Sequence, residues 1–99
     1  MSFHIDHYPN ALADIQKNYR WYRRQSARAA KGFLEAMDQA LGRISENPRQ
    51  FAEYFDDTRV CVLKRYPYLV IFRMYRRSVT IYAVSHAKRS QLHWRKRLP

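Results

Sequence analysis

The chain reads as an α+β domain of two layers: an N-terminal strand, then an antiparallel helix hairpin packed on a three-stranded antiparallel meander, then a short C-terminal tail (β-α-α-β-β-β). Three observations predict it. Two stretches in the first half carry apolar residues at helical spacing. Three runs in the second half are dominated by β-branched and aromatic residues. The links within each group are so short that neighbouring elements must fold back on one another. With 99 residues, 46% of them hydrophobic and 15% aromatic, the chain suits one domain over residues 1–99 and is too apolar for disorder.

In the first element Phe3 and Ile5 alternate with His4 and Asp6, the period of a half-buried strand. Tyr8-Pro9-Asn10 interrupts it. Proline is accepted in a helix's first turn, where the N–H it lacks would have no partner. Ala11, Leu12, Ile15, Tyr19 and Tyr22 then make one face of a helix over residues 9–24, with Asp14, Lys17, Arg20 and Arg24 opposite. Ser26 is placed to cap a second helix. Its Ala30, Phe33, Leu34, Met37, Leu41 and Ile44 recur at i, i+3, i+4 and i+7 as far as residue 46. Gly32 lies inside that stripe and weakens the helix by up to about 1 kcal/mol relative to alanine. Asn47-Pro48 ends it.

A polar loop from Pro48 to Thr58 precedes the strand-like runs Val60–Leu63, Leu69–Tyr75 and Val79–Val84. Tyr66-Pro67-Tyr68 and Arg76-Arg77-Ser78 link them at hairpin length. The segment from Ser90 to Arg97 is expected to add two helical turns, with Leu92 as an apolar contact.

The charge is unevenly placed. The 19 Lys+Arg exceed the 8 Asp+Glu to give +11. Residues 1–57 are neutral, with eight bases and eight acids, while the stretch from Thr58 onward holds eleven bases and no acid. A neutral scaffold followed by a working face for a polyanion is the expectation, the polyanion being nucleic acid or an acidic protein segment. One cysteine, Cys61, excludes an internal disulfide framework and a cysteine-cluster zinc site. No apolar run approaches the roughly 18 residues of a membrane span, and the opening residues lack a signal peptide's apolar core. A cytoplasmic protein without membrane contact is therefore expected.

Familiar enzyme signatures are missing. Gly32 and Gly42 both fall in the second helix, so there is no glycine-rich phosphate loop. His4, Asp6 and His7 imitate a metal-ligand spacing, but positions 4 and 7 of a strand point to opposite faces. No metal and no other cofactor is expected. Asp56-Asp57 suit a turn, and Glu35 and Asp38 fall on the polar face of the second helix. The informative region runs from Tyr66 to Arg97. His86-Ala87-Lys88-Arg89 closes the last strand, and Trp94-Arg95-Lys96-Arg97 sets an indole among three cations. That mixture suits stacking on bases and pairing with phosphates; equally, Trp94 would anchor the tail to the sheet.

The ordered set of elements resembles the RelE/ParE superfamily of toxins from bacterial type II toxin–antitoxin systems. In detail it is most similar to the ParE-like, plasmid-stabilisation branch. The matching residues are Pro9, Ala11 and Asp14, then Ala30 and Phe33, the Asn47-Pro48 stop and Arg65-Tyr66-Pro67-Tyr68. His86, Arg89, Trp94 and Arg97 complete the set in the spacing H-x-x-R-x-x-x-x-W-x-x-R.

The resemblance implies a growth-inhibiting toxin, and two mechanisms. RelE-like members are ribosome-dependent mRNA nucleases with lysines on the first meander strand. They also carry an arginine in the central strand, one after the last strand, and a tail tyrosine. The lysine places hold Val60 and Val62 here, the central-strand place holds Leu69, and the tyrosine falls near Trp94 or Arg95; only Arg89, with Lys88 beside it, keeps its chemistry. If the chain cuts RNA, the catalytic candidates are His86, Arg89 and Lys88. ParE-like members are instead non-enzymatic poisons of DNA gyrase, and the departures favour that reading. Target contacts are then expected from Arg89, Trp94, Arg95 and Arg97, with Arg65 and Arg73. The implied partner is a cognate antitoxin whose acidic segment wraps the helices and sheet, with a toxin homodimer inside that complex. A basic, non-toxic nucleic-acid-binding module is the third reading, from charge alone.

Overall fold

The computed structural model describes residues 2–88 and 93–99. Strand β1 spans His4–His7, helix α1 Pro9–Gln25 and helix α2 Ala27–Glu46. Then follow β2 (Ala52–Glu53), β3 (Thr58–Val62), β4 (Tyr68–Met74) and β5 (Ser78–His86). Within the tail, His93–Arg97 forms a 3₁₀ turn. The predicted helical start at Ser90 lies outside the described residues.

The helix boundaries follow from local chemistry. Pro9 opens α1, and Ser26 alone joins the two helices. Its hydroxyl accepts the Ala29 N–H at 2.9 Å, capping α2, while its own N–H goes to the Tyr22 carbonyl at the end of α1. One residue cannot carry the chain away, so α2 returns along α1, and its far end meets β1 where the Phe3 N–H donates to the Ser45 carbonyl at 2.8 Å.

The sheet exceeds the predicted meander. Its order is β1-β5-β4-β3-β2, with β1 parallel to β5 and every other pair antiparallel. The N-terminal strand thus joins the same sheet as the meander. The expected loop contributes β2, which pairs with Arg59 and Val60. Between β2 and β3 the chain reverses through Asp56 and Asp57, both at positive φ (56° and 60°), a conformation aspartate tolerates better than most residues. Tyr82 is an extra residue in β5: Ile71 pairs with Ala83 and Phe72 with Ile81, a bulge that shifts which side chains face the helices.

Apolar groups are buried on both faces of the sheet. On one side Ala11, Phe33, Met37, Ala40 and Ile44 from the helices meet Val70, Phe72, Ile81 and Val84. On the other side Ile71, Ala83 and Trp94 form a second cluster, flanked by Tyr54, Val60, Leu69 and Leu98. Coverage from two sides is why β4 and β5 read as nearly continuous apolar runs rather than alternating ones.

Gly32 has a packing reason that its helix stripe concealed. The Tyr66 hydroxyl donates to the Ala29 carbonyl at 3.0 Å, and a Cβ on Gly32 would overlap that hydroxyl. Tyr66 is held edge-on by Tyr22 and Phe33, with ring centroids 5.1 and 5.8 Å away, so it cannot swing aside freely. Gly32→Ala is expected to destabilise the protein by about 1–2 kcal/mol through overpacking. In a Tyr66→Phe background the same change should instead stabilise by up to about 1 kcal/mol, the helix-propensity gain alone. Denaturant midpoints of the four proteins measure this reversal of sign.

Candidate functional site

The predicted site residues divide into those the fold consumes and those it leaves free. Trp94 is consumed. It is 0% exposed and stacks on Tyr54 at 5.9 Å, so it anchors the tail and presents no face to a base or a target protein. Its burial follows from the apolar patch of Ile71 and Ala83, on the side of the sheet away from the α1 and α2 core.

Arg97 is consumed as well. Its Nη1 donates to Asp14 Oδ2 at 2.8 Å and to the Tyr82 carbonyl at 3.0 Å, while Nη2 reaches Asp14 Oδ1 at 3.3 Å. Asp14 Oδ2 also accepts the Val84 N–H at 3.0 Å. The geometry has a clear origin: β1 pairs with β5 only as far as Ile81. Beyond it, the backbone groups of Tyr82 and Val84 take side-chain partners from α1 and the tail. The pair is largely buried, its side chains 12% and 16% exposed.

Arg95 forms a two-point ion pair with Asp56 at the β2–β3 reversal. That hydrogen bonding holds the Asp56 carboxyl below its usual range and raises the Arg95 guanidinium. Arg73 donates to the Asp56 backbone carbonyl. Arg65 is exposed, at a positive φ of 67°, beside the groove between α2 and the β3–β4 turn. Lys88 is exposed. Arg89 lies outside the described residues.

The halves predicted from charge are therefore interlocked in space. Acids of the neutral half hold bases of the basic half: Asp14 with Arg97, Asp56 with Arg95, and Glu53 with Arg59 at 3.5 Å. The first half is not only a scaffold either. Six of its eight bases (Lys17, Arg20, Arg23, Arg24, Arg28 and Lys31) fall within residues 15–34, which contain no acid. A count over residues 1–57 averages this run away; a shorter window would have found it.

Three of those cations meet His86. A cleft of about 540 Å³ lies between α1 and the adjoining ends of β4 and β5, and Lys17, Arg20, Trp21, Arg24, Tyr68 and His86 are among its walls. Residues 17, 20, 21 and 24 share one helix face by spacing. Among the described residues no carboxylate pairs with Lys17, Arg20 or Arg24, and such like-charge neighbours destabilise a helix by about 0.2–0.5 kcal/mol per pair. Trp21 is 51% exposed, with the edge of Tyr22 at 4.9 Å supporting it. Burial, with the Tyr68 side chain near, pushes Tyr22 up to about 12.

His86 packs edge-on against Tyr68 at 5.3 Å. Its Nδ1 accepts the Lys88 N–H at 3.1 Å, so the neutral ring carries its hydrogen on Nε2. Among the described residues no carboxylate hydrogen-bonds to His86, which leaves it without the orienting acid of a proton-transfer pair. His4 bonds Asp6 at 2.9 Å on the surface, and the described residues hold no cluster of three or more metal-ligating side chains. No helix among the described residues is long and apolar enough to cross a membrane.

Comparison with known proteins agrees with this architecture. The profile of the family described as "ParE toxin of type II toxin-antitoxin system, parDE" matches residues 7–91. A structure of the chromosomal ParDE toxin–antitoxin system of P. aeruginosa superimposes with a TM-score of 0.75 at 17% identity, over 88% of this chain and 98% of that one. A mutant of the E. coli toxin RelE in the free state superimposes with a TM-score of 0.66 at 18% identity, over 100% of both chains. No curated relative matches the sequence at a significant level. The structural likenesses establish a shared fold, and the profile, spanning most of the sequence, establishes descent: the chain belongs to the ParE toxin family of type II toxin–antitoxin systems.

Proposed function

We propose that this toxin arrests growth by inhibiting DNA gyrase without cutting RNA, and that a cognate antitoxin with an acidic segment holds it inactive. One observation carries the choice between mechanisms. Three positions where the nuclease reading needs charged groups hold Val60, Val62 and Leu69, leaving Arg89 alone of that set, and Val60 and Leu69 pack against the buried Trp94 cluster. RNA cleavage by 2′-hydroxyl attack needs a proton acceptor, a proton donor and cations around the phosphorane. A face of Val60, Leu69, Ile71 and Trp94 offers none of these.

An antitoxin is supported by the ParDE system, whose toxin fold this chain shares. An acidic segment fits the +11 charge. Of the residues expected to meet gyrase, Arg65 and Arg95 remain exposed and are kept as contacts, whereas Trp94 and Arg97 hold the tail in place. In a cell-free assay, micromolar toxin should inhibit supercoiling by purified gyrase, and the product of the adjacent antitoxin reading frame should restore it. Unimpaired supercoiling, together with mRNA cleavage mapped by primer extension after induction, would overturn the proposal in favour of the nuclease.

A further inference from the structure

We infer that the cleft between α1 and the His86 end of β5 binds single-stranded nucleic acid, independently of how the toxin acts on its target. Trp21 stacks a base while Lys17, Arg20 and Arg24 hold the neighbouring phosphates.

The inference rests on four observations that meet in one place. Three cations share a helix face, and no carboxylate among the described residues answers them, so their natural counterion is external. An indole lies in the same cleft, half in water and steadied by the edge of Tyr22. Rigid support from one side with a wet surface on the other suits stacking on a base. The space, about 540 Å³, is in the range of small-ligand sites and accepts a nucleotide unit. Finally, the Lys88 N–H fixes His86 with Nε2 as the donor of its neutral form, which can reach a base edge or a phosphate oxygen.

Charge alone would equally suit an acidic peptide. The indole among the cations favours nucleic acid, because every base has a ring face that stacks on it while the neighbouring phosphates meet the cations. The cleft is also separate from Trp94: Tyr68 belongs to the helix-side core, and Trp94 to the cluster on the opposite face.

The test titrates the full chain, freed of antitoxin, with fluorescein-labelled dT12 and rU12. Either oligonucleotide should bind saturably and quench indole fluorescence. Because Trp94 is buried, the quenching reports Trp21. Three phosphate contacts give a log–log salt slope of about −2. Arg20→Glu/Arg24→Glu should lower affinity by more than about tenfold, and Trp21→Ala by about tenfold with loss of the quenching. All three side chains are exposed, and circular dichroism checks that the variants stay folded. The control Arg76→Glu/Lys96→Glu makes the same charge change elsewhere and should cost much less. A preference between rU12 and dT12 tells whether the natural ligand is RNA or DNA. Equal losses in the two charge-reversed variants, binding without quenching, or poly-glutamate binding as tightly as the oligonucleotides would each overturn the assignment.

Discussion

Trp94→Ala should cost about 3–5 kcal/mol of folding stability, the range for deleting a large buried aromatic side chain. The indole is wholly buried between Tyr54 and the Ile71–Ala83 patch. A domain of this size holds roughly 5–15 kcal/mol in all, so the variant folds with a thin margin and melts about 15–30 °C lower. Trp94→Phe should cost clearly less. Among the described residues the Trp94 Nε1 has no hydrogen-bond partner, so that change loses volume but no polar contact seen there. Guanidinium midpoints rank the three proteins. Trypsin adds a second reading, since Arg95, Lys96 and Arg97 become cleavable once the indole no longer holds the tail. A Trp94→Ala midpoint equal to that of the parent would rule out the anchoring role.

Asp14→Ala should cost a similar amount, about 3–5 kcal/mol, for a different reason. It strands a guanidinium that is 12% exposed, and breaking one side of a buried pair leaves an uncompensated charge. It also deprives the Val84 N–H of its acceptor, an additional desolvation cost. Arg97→Ala should be milder, because Asp14 then keeps the Val84 N–H and gains access to water. The double variant should fall well short of the sum, since removing Arg97 first abolishes the stranded charge. Equilibrium urea unfolding of the four proteins gives the coupling. Additive losses would mean that the two side chains act independently and that the pair does not fasten the tail.

The helices were legible because their signals are local. Ser26, Pro9 and Asn47-Pro48 act on backbone groups within one turn, and the predicted limits of α1 and α2 are met within a residue. The strands were legible in kind and less so in extent. Thr58 and Arg59 belong to β3 because β4 reaches past Val60 to pair with them, and no pattern within the strand announces a partner's length. β2 was hidden because two residues carry no period. The parallel pairing of β1 was hidden because it is decided by what remains open at the edge of β5.

The site was harder to read, and charge shows why. Counting along the chain separated acids from bases that the fold brings together: Asp14 and Arg97 stand 83 positions apart. Lys17, Arg20 and Arg24 were legible as a polar helix face, and His86 as the end of a strand. That the two face each other depends on β5 running out beside α1, which only the assembled sheet determines.

The pairing of β1 with β5 has a consequence for the chain's synthesis. His4–His7 leaves the ribosome early, yet its partners, Ser78–Ile81, are made only after both helices and three other strands. Until then the first strand has no edge to join. Tyr8, whose N–H donates to the Ile81 carbonyl, starts α1 without that support. The Asp14–Arg97 clasp closes later still. Assembly is therefore governed by contacts between distant parts of the chain, the kind that slows folding. A growing polypeptide of this toxin therefore cannot complete its sheet before residues 78–81 have emerged, nor close its clasp before Arg97 has.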